Sequence, residues 1–404
     1  MTAGAMTGEP SIAGSEPDGA PRLLSLDVLR GVAILGILFM NINEMGGSFW
    51  ASWVEPRHFG WTLVDRSVWA VREVLAEGTA RALLEMLFGA GMVILTDRAA
   101  GSIGETPAVR RYVGRNLVLL GFGIVHMLVL LWPGDILHSY AIAALMIVWF
   151  RGLEPGQMLA IGLWLTVTEL IANGVALIDP GAAVTVIDHA RDIALEDAAR
   201  MHDFGAWAGF LWGIAATVLA AGEIETVLEA AGTMLVGAAL YRWGVLQGGR
   251  SRRFYVALMV VGYGIGFPVR IASVAQEWAG RDVGRGIDML YEVSRLATTL
   301  GHIGMLHLLL GTAVGVGLLR PFAAAGRTAL TLYMVQSVLC LWVLYPPFAL
   351  GLYGTQGWAA MMATALVVNA VLLVAANWWV ARFRIAPVEW AWRSLAEGRR
   401  LPFR

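Results

Sequence analysis

Long apolar runs, broken by short polar or Pro/Gly-bearing turns, dominate the chain. A helix needs about 20 mostly apolar residues to cross a bilayer. Runs of that kind lie near residues 27–47, 80–96, 115–132, 136–151, 157–178, 225–247, 254–275, 296–319, 328–350 and 358–380. The pattern predicts an all-α fold, a polytopic membrane helix bundle of about ten transmembrane helices. A further apolar stretch, "FGAWAGFLWGIAATVLAA" at 204–221, competes for the same reading.

Charge orders these runs, because cytoplasmic loops collect Arg. Arg98, Arg110, Arg111 and Arg115 mark one loop, Arg250, Arg252 and Arg253 a second, and Arg320 and Arg327 a third. The C-terminal tail adds Arg382, Arg384, Arg393, Arg399, Arg400 and Arg404. The connection 179–203 is instead rich in Asp and Glu, with Arg191 and Arg200 its only basic residues. About ten spans with both termini cytoplasmic put every Arg cluster inside and this connection outside. A crossing at 204–221 would break that agreement, so this stretch is expected to be re-entrant or interfacial. The resulting division is a disordered cytoplasmic tail (1–22), an N-terminal membrane bundle (23–200), a C-terminal membrane region (201–395) and a cytoplasmic tail (396–404).

Composition sharpens the picture. The chain has 404 residues, 58% hydrophobic and 15% charged, with mean hydropathy +0.66. Soluble domains carry about 25% charged residues. A formal net charge of -1 argues against a nucleic-acid partner. All basic side chains other than histidine are arginine, which excludes Schiff-base chemistry and a phosphate-loop lysine. Cys340 is the only cysteine, so no intrachain disulfide or Cys-rich metal site forms. Residues 1–21 lack a basic start and an apolar stretch, unlike a signal peptide, leaving the first span as the insertion signal.

The polar residues inside the runs carry the candidate chemistry. A charge at the bilayer centre costs roughly 2.5–3.5 kcal/mol on insertion scales, so such groups are compensated or used. In the first run Asp27, Arg30, Asn41 and Glu44 share an arc of roughly 100° at helical periodicity, with Asn43 off it. Asp27 and Arg30 are placed to pair as i, i+3 neighbours. In "GFGIVHMLVLLWPGDILHSYA", His126 lies about two turns before a Pro133–Gly134 turn that Asp135 follows. Histidine takes and returns protons near neutral pH, and a neighbouring carboxylate would orient it. The alternatives are an interhelical hydrogen bond for His126 and a helix N-cap for Asp135. Arg295 and His302 share a face of the eighth run, Glu169 stacks with Asn173 in the fifth, and Arg270 closes the seventh. Arg81 and Glu85 stand four apart and are placed to pair. None of the seven histidines shows metal-ligand spacing on a helix, and no metal site is read. "GYGIGF" at 262–267 follows no strand; its Gly262 and Gly266 predict close helix packing instead.

"SLDVLRGVAILGILFMNI", "LEMLFGAGM", "LVLLGFGIVHMLVLLWPGDILHSYA", "AAGRTALTLYMVQS" and "FRIAPVEWAWRSL" together resemble the YeiB-type bacterial membrane proteins, from about Leu24 to Leu395. That family is defined by a C-terminal domain of unknown function. Residues matching its pattern are Asp27, Arg30, Asn41, His126, Asp135, Gly326, Arg327, Gln336, Pro387 and Glu389. The opening motif resembles that of a wider clan of membrane acyltransferases, which includes the heparan-α-glucosaminide N-acetyltransferases. The resemblance implies a multi-pass protein of the bacterial inner membrane and acyl-CoA as co-substrate, with a sugar or small-molecule acceptor. In the acetyltransferase branch a histidine after the first span is implicated. His58 is the nearest counterpart, but its distance from Asn41 departs from that branch.

Two functional classes follow. In an acyltransferase, His126 acts as base, Asp135 orients it and Asn41 hydrogen-bonds the thioester oxygen. Asp27, Arg30, Glu44, Glu169, Arg295, His302 and Gln336 then line the substrate path. In a transporter of a small amphipathic molecule, the same groups form a central site. A structural or regulatory membrane protein is the third alternative.

Overall fold

The apolar runs fold as helices, and no strand is present among the described residues. The computed structural model describes residues 24–178, 189–221, 223–280 and 290–403, the side chains of 167–178 and 221 excepted. In chain order the helices are α1 (Leu24–Gly46), α2 (Phe49–Val54), α3 (Leu63–Leu75), α4 (Thr79–Ile103), α5 (Glu105–Leu128) and α6 (Leu137–Ile147). There follow α7 (Pro155–Ile178), α8 (His189–His202), α9 (Phe204–Ala221), α10 (Ile224–Arg242) and α11 (Arg252–Trp278). The last are α12 (Tyr291–Leu310), α13 (Ala313–Arg327), α14 (Ala329–Val338), α15 (Trp358–Val380) and α16 (Pro387–Ala396). The expected tail 1–22 lies outside the described residues.

By length and composition, Leu24–Gly46, Leu63–Ile103, Ile224–Arg242, Arg252–Trp278 and Trp358–Val380 suffice to cross a membrane. Two of them expose long apolar faces: Val256, Val260, Val261 and Ile265 on α11, and Leu366, Val367, Val371 and Val374 on α15. Contiguous apolar surface of this kind is satisfied by lipid rather than water. The protein is therefore an all-helical membrane protein. The 204–221 stretch is an 18-residue helix, α9, that buries Trp207 and Leu211 and exposes Trp212.

The run 296–319 is not one continuous helix. It breaks between α12 and α13, which meet at 117°. Thr312 starts the new helix, its hydroxyl accepting from the Gly315 amide at 3.0 Å. The turn lets the small residues of α13 lie on α1. A Cβ on Gly31 would stand 1.9 Å from the Phe322 carbonyl oxygen, and one on Gly326 would stand 1.9 Å from that of Asp27. The apolar run concealed this break because it contains no proline before Pro321. Close packing at Gly262 and Gly266 is as expected: a Cβ there would meet the Ala297 carbonyl oxygen at 2.5 Å or Thr298 Oγ1 at 2.1 Å on α12.

The second half of the acidic connection forms a cap. On α8, Glu196 accepts from Ser48 Oγ (2.6 Å) and the Phe49 amide (2.8 Å), holding the start of α2. Arg200, fully buried, donates to the carbonyls of Glu44 (2.9 Å), Met45 (2.6 Å) and Gly47 (2.8 Å). A cation thus closes the negative end of α1, where carbonyls lack helical partners. Beside it, His58 Nε2 meets Asp197 Oδ2 at 3.1 Å, and Tyr353 donates to Asp197 at 2.8 Å.

The Asp197 hydrogen bond raises the pKa of His58 from its ordinary 6.5. Burial pushes Asp197 up, but the bonds from His58 and Tyr353 outweigh it and hold the carboxyl below its ordinary 3.8. The His58 contribution is complete below 6.5 and is lost as pH rises through the raised value. The Asp197 contribution is complete above 3.8 and is lost as pH falls through the lowered value. The cap is therefore tightest between those limits. Hydrogen exchange of α8 amides should quicken as His58 deprotonates, and Asp197→Asn should abolish that pH dependence. Protection of α8 that is the same on both sides of the His58 titration would count against this clamp.

Candidate functional site

The site grows from the end of α5. After Leu128 the helix stops, and residues 129–136 fold back as an irregular turn against the bundle. Trp342 Nε1 donates to the Leu130 carbonyl at 2.9 Å, pinning the turn. Leu131 within it has φ of 59°, a left-handed conformation that non-glycine residues avoid. The turn brings Asp135 back beside His126, and α6 then starts against α5 at Gly123. A Cβ on Gly123 would lie 2.4 Å from the His138 amide nitrogen and 2.8 Å from Asp135 Oδ2. Only glycine permits that approach.

The result is a chain of hydrogen bonds. His126 Nδ1 meets Asp135 Oδ1 at 2.7 Å, both side chains fully buried. Asp135 Oδ2 accepts from the His138 amide at 3.0 Å and meets His138 Nδ1 at 3.0 Å. His138 Nε2 reaches Glu223 Oε2 at 2.7 Å, and Ser139 Oγ donates to the same oxygen at 2.6 Å. The Tyr333 hydroxyl lies 3.5 Å from Asp135 Oδ1, and its ring stands edge-on to His126 at 4.9 Å. In a neutral imidazole, a carboxylate on Nδ1 selects the tautomer with its proton there and its lone pair on Nε2. That Nε2 is buried and has no hydrogen-bond partner among the described residues. Both nitrogens of His138 face carboxylate oxygens, a geometry satisfied when both donate.

A second cluster adjoins the first through α6. Tyr140 donates to Glu85 Oε1 at 3.1 Å. Arg295 is fully buried and pairs with Glu85 (3.1 Å), Glu292 (2.8 Å) and Glu229, while its Nη2 reaches Thr233 Oγ1 at 3.2 Å. Arg81 pairs with Glu229 and lies 3.5 Å from Glu85. The Arg81–Glu85 neighbours thus join a five-member network rather than a local pair.

Of the expected site residues, His126 and Asp135 come together, and Arg295 lies in the adjoining ion cluster. Asp27 and Arg30 pair with each other at 3.4 Å, half-buried at the start of α1. Among the described residues, no hydrogen bond or ion pair joins Asn41 or Glu44 to the His126 chain, and both are half-buried. The buried amide of this helix is Asn43, which accepts from Arg72 at 3.4 Å. His302 is held elsewhere by Tyr263 (2.8 Å) and the Leu75 carbonyl (2.8 Å). Gln336 donates to Asn369 (3.1 Å) and the Ile34 carbonyl (3.3 Å), an interhelical amide clamp. The side chain of Glu169 lies outside the described residues. His58 pairs with Asp197 in the cap, apart from His126.

Sequence reading missed His138, Ser139, Glu223 and Tyr333. The first carried a signal: it stands three residues after Asp135, the spacing at which a helix-start carboxylate meets a side chain one turn on. Glu223 carried none, because its approach depends on the break before α10. Glu389, a residue of the resemblance pattern, caps α14: its carboxylate accepts from the amides of Leu330 (2.8 Å) and Thr331 (3.2 Å).

No group of three or more His, Cys, Asp or Glu suited to a metal ion occurs among the described residues. Comparison with known proteins places the chain. The family model described as "Protein of unknown function (DUF418)" matches residues 240–399, the region from the end of α10 through α16 that supplies Arg295 and Tyr333. The uncharacterized protein YeiB of Escherichia coli (strain K12) is 30% identical over 386 residues, covering 93% of this chain and 96% of that protein. The uncharacterized protein YxaH of Bacillus subtilis (strain 168) is 27% identical over 394 residues, covering 92% and 94%. An uncharacterized 39.9 kDa protein in the amylase 3' region of Bacillus acidopullulyticus is 22% identical over 393 residues. Likeness along nearly the whole of both chains, at the level found for YeiB, means that this protein belongs to the YeiB-type family.

Proposed function

We propose that this protein is a membrane acyltransferase that moves an acyl group from acyl-CoA to a hydroxyl or amine of an envelope or small-molecule acceptor. The observation that supports it most directly is the His126–Asp135 pair. A buried imidazole, its Nδ1 held at 2.7 Å by a carboxylate, keeps an unpartnered basic Nε2. In this reading Nε2 takes the acceptor proton as the acceptor oxygen or nitrogen attacks the thioester carbonyl. The carbon–sulfur bond breaks, and the proton passes to the departing CoA thiolate. Asn41 is retained as candidate donor to the thioester oxygen. His126 is fully buried, so the acceptor reaches Nε2 only when the packing around that nitrogen opens.

The Arg distribution supports a cytoplasmic entry for acyl-CoA near Arg30, both termini in the cytoplasm and a bacterial inner-membrane location, with about ten spans and α9 lying in the interface. A transporter of a small amphipathic molecule is the second reading, favoured by the 117° break between α12 and α13. The two separate by mass spectrometry of envelope sugars and lipids from cells with and without the protein. Acyl transfer predicts acylated species that vanish with the gene. Unchanged acylation, together with an acceptor that accumulates on one side of the membrane, would replace it with transport.

A further inference from the structure

A second polar site lies apart from the His126 chain, where α3, α11 and α12 meet. A cavity of about 70 Å³ is lined there by Trp69, Glu73, Glu77, Arg270, Ser273 and Tyr291, among others. Arg270 is 5% exposed. Its Nη1 donates to the Glu73 carbonyl at 2.7 Å, while Nε and Nη2 are buried without acceptors among the described residues. Both nitrogens are shielded from the open space of the cavity, so a ligand meets this edge once the Arg270 side chain turns toward it; buried donors without acceptors are costly, which favours that turn. Nε–H and Nη2–H form the side-on fork of a guanidinium, which matches the two oxygens of one carboxylate.

The same cavity is lined by groups of the other sign. Glu73 and Glu77 both pair with one cation, Arg72, which Glu77 meets at 2.6 Å. Arg72 is also committed to the carbonyls of Phe39 and Met40, each at 3.0 Å. Two carboxylates thus share one fully engaged arginine, one acidic group more than Arg72 can match. An anion alone would gain the fork but face Glu73 and Glu77; a cation alone would gain the carboxylates but face Arg270. A molecule with both groups a few atoms apart satisfies each wall. The volume holds a ligand of a few heavy atoms, since one water needs about 10–15 Å³ on the same measure.

We propose that this cavity binds a small zwitterion of the α-amino acid type, its carboxylate on the Nε–Nη2 edge of Arg270 and its ammonium toward Glu73 and Glu77. The inference stands independently of the acyl-transfer reading, because it shares no residue with the His126 chain.

Isothermal titration of the purified full-length protein in detergent tests it, with L-alanine as probe and sodium acetate and ethylammonium chloride as half-ligands. Saturable binding of L-alanine, at least tenfold tighter than either half-ligand, is expected. Arg270→Gln should weaken it tenfold or more, since glutamine can still donate to the Glu73 carbonyl but offers no fork. Ser273→Leu, which fills the cavity without touching an ion pair, should do the same. Variants are compared only at unchanged melting temperature, so that lost binding is not lost fold. Absence of L-alanine binding, equal binding of a half-ligand, or wild-type binding by folded Arg270→Gln would overturn the proposal.

Discussion

His126→Gln is expected to leave the bundle folded and to lower acyl transfer by about 10²–10⁴-fold, the usual contribution of a general base. A glutamine amide still donates to Asp135 Oδ1, which His126 Nδ1 now meets at 2.7 Å, so the buried carboxylate keeps a partner. What is lost is the basic lone pair on Nε2, because an amide takes no proton near neutral pH. Asp135→Asn should impair transfer less completely. The asparagine oxygen still accepts from the His138 amide, now 3.0 Å from Asp135 Oδ2, but its NH₂ cannot hold the imidazole in the same tautomer. Melting temperature and acyl-CoA turnover are to be measured on the same samples. If turnover fell only in step with folded protein, His126 would be structural. A well-folded His126→Gln variant with near-normal turnover would dismiss the base assignment outright.

Arg295→Met should cost about 3–5 kcal/mol of stability, the usual penalty for removing one partner of a buried ion pair. Arg295 meets Glu85, Glu229 and Glu292 in a fully buried position, and Thr233 completes its donors. Methionine fills similar volume but strands three carboxylates with Arg81 alone against them. Much of the cost is therefore unpaired charge rather than lost packing. Neutralising one carboxylate should recover part of it, so Arg295→Met with Glu85→Gln should be more stable than Arg295→Met alone. Thermal unfolding in detergent reads both variants. An Arg295→Met protein that melts with the wild type would show that the cluster carries no such strain.

Hydrophobic runs made the helical fold and most helix positions legible, because a lipid-facing helix must be apolar along its whole length. Trp358–Val380 coincides with the expected run, and Arg252–Trp278 exceeds it by a turn or less at each end. The run 296–319 hides a bend for the same reason: hydropathy averages over it. The local signal, Gly311 followed by the capping Thr312, is short enough to vanish in an apolar run, and the bend seats Gly326 close against Gly31. The arc on α1 shows a related limit. Periodicity grouped Asn41 with Glu44, yet it is Asn43 that lies buried, because Arg72 of a distant helix reaches it.

The sequence by itself determined the membrane class, the absence of lysine and of an intrachain disulfide, and the family resemblance, and it raised the His126–Asp135 pair as one of its readings. Each of these is written in composition or in short spacing, and a nine-residue separation across a Pro–Gly turn is local enough to predict. Tertiary structure alone decided that Asp135 also holds His138, that His138 reaches Glu223 just before α10, and that Arg295 gathers acids from α4, α10 and α12. The reason is physical: a buried charge takes whatever partner packing delivers, and close glycine contacts between helices, not sequence distance, set which partners those are.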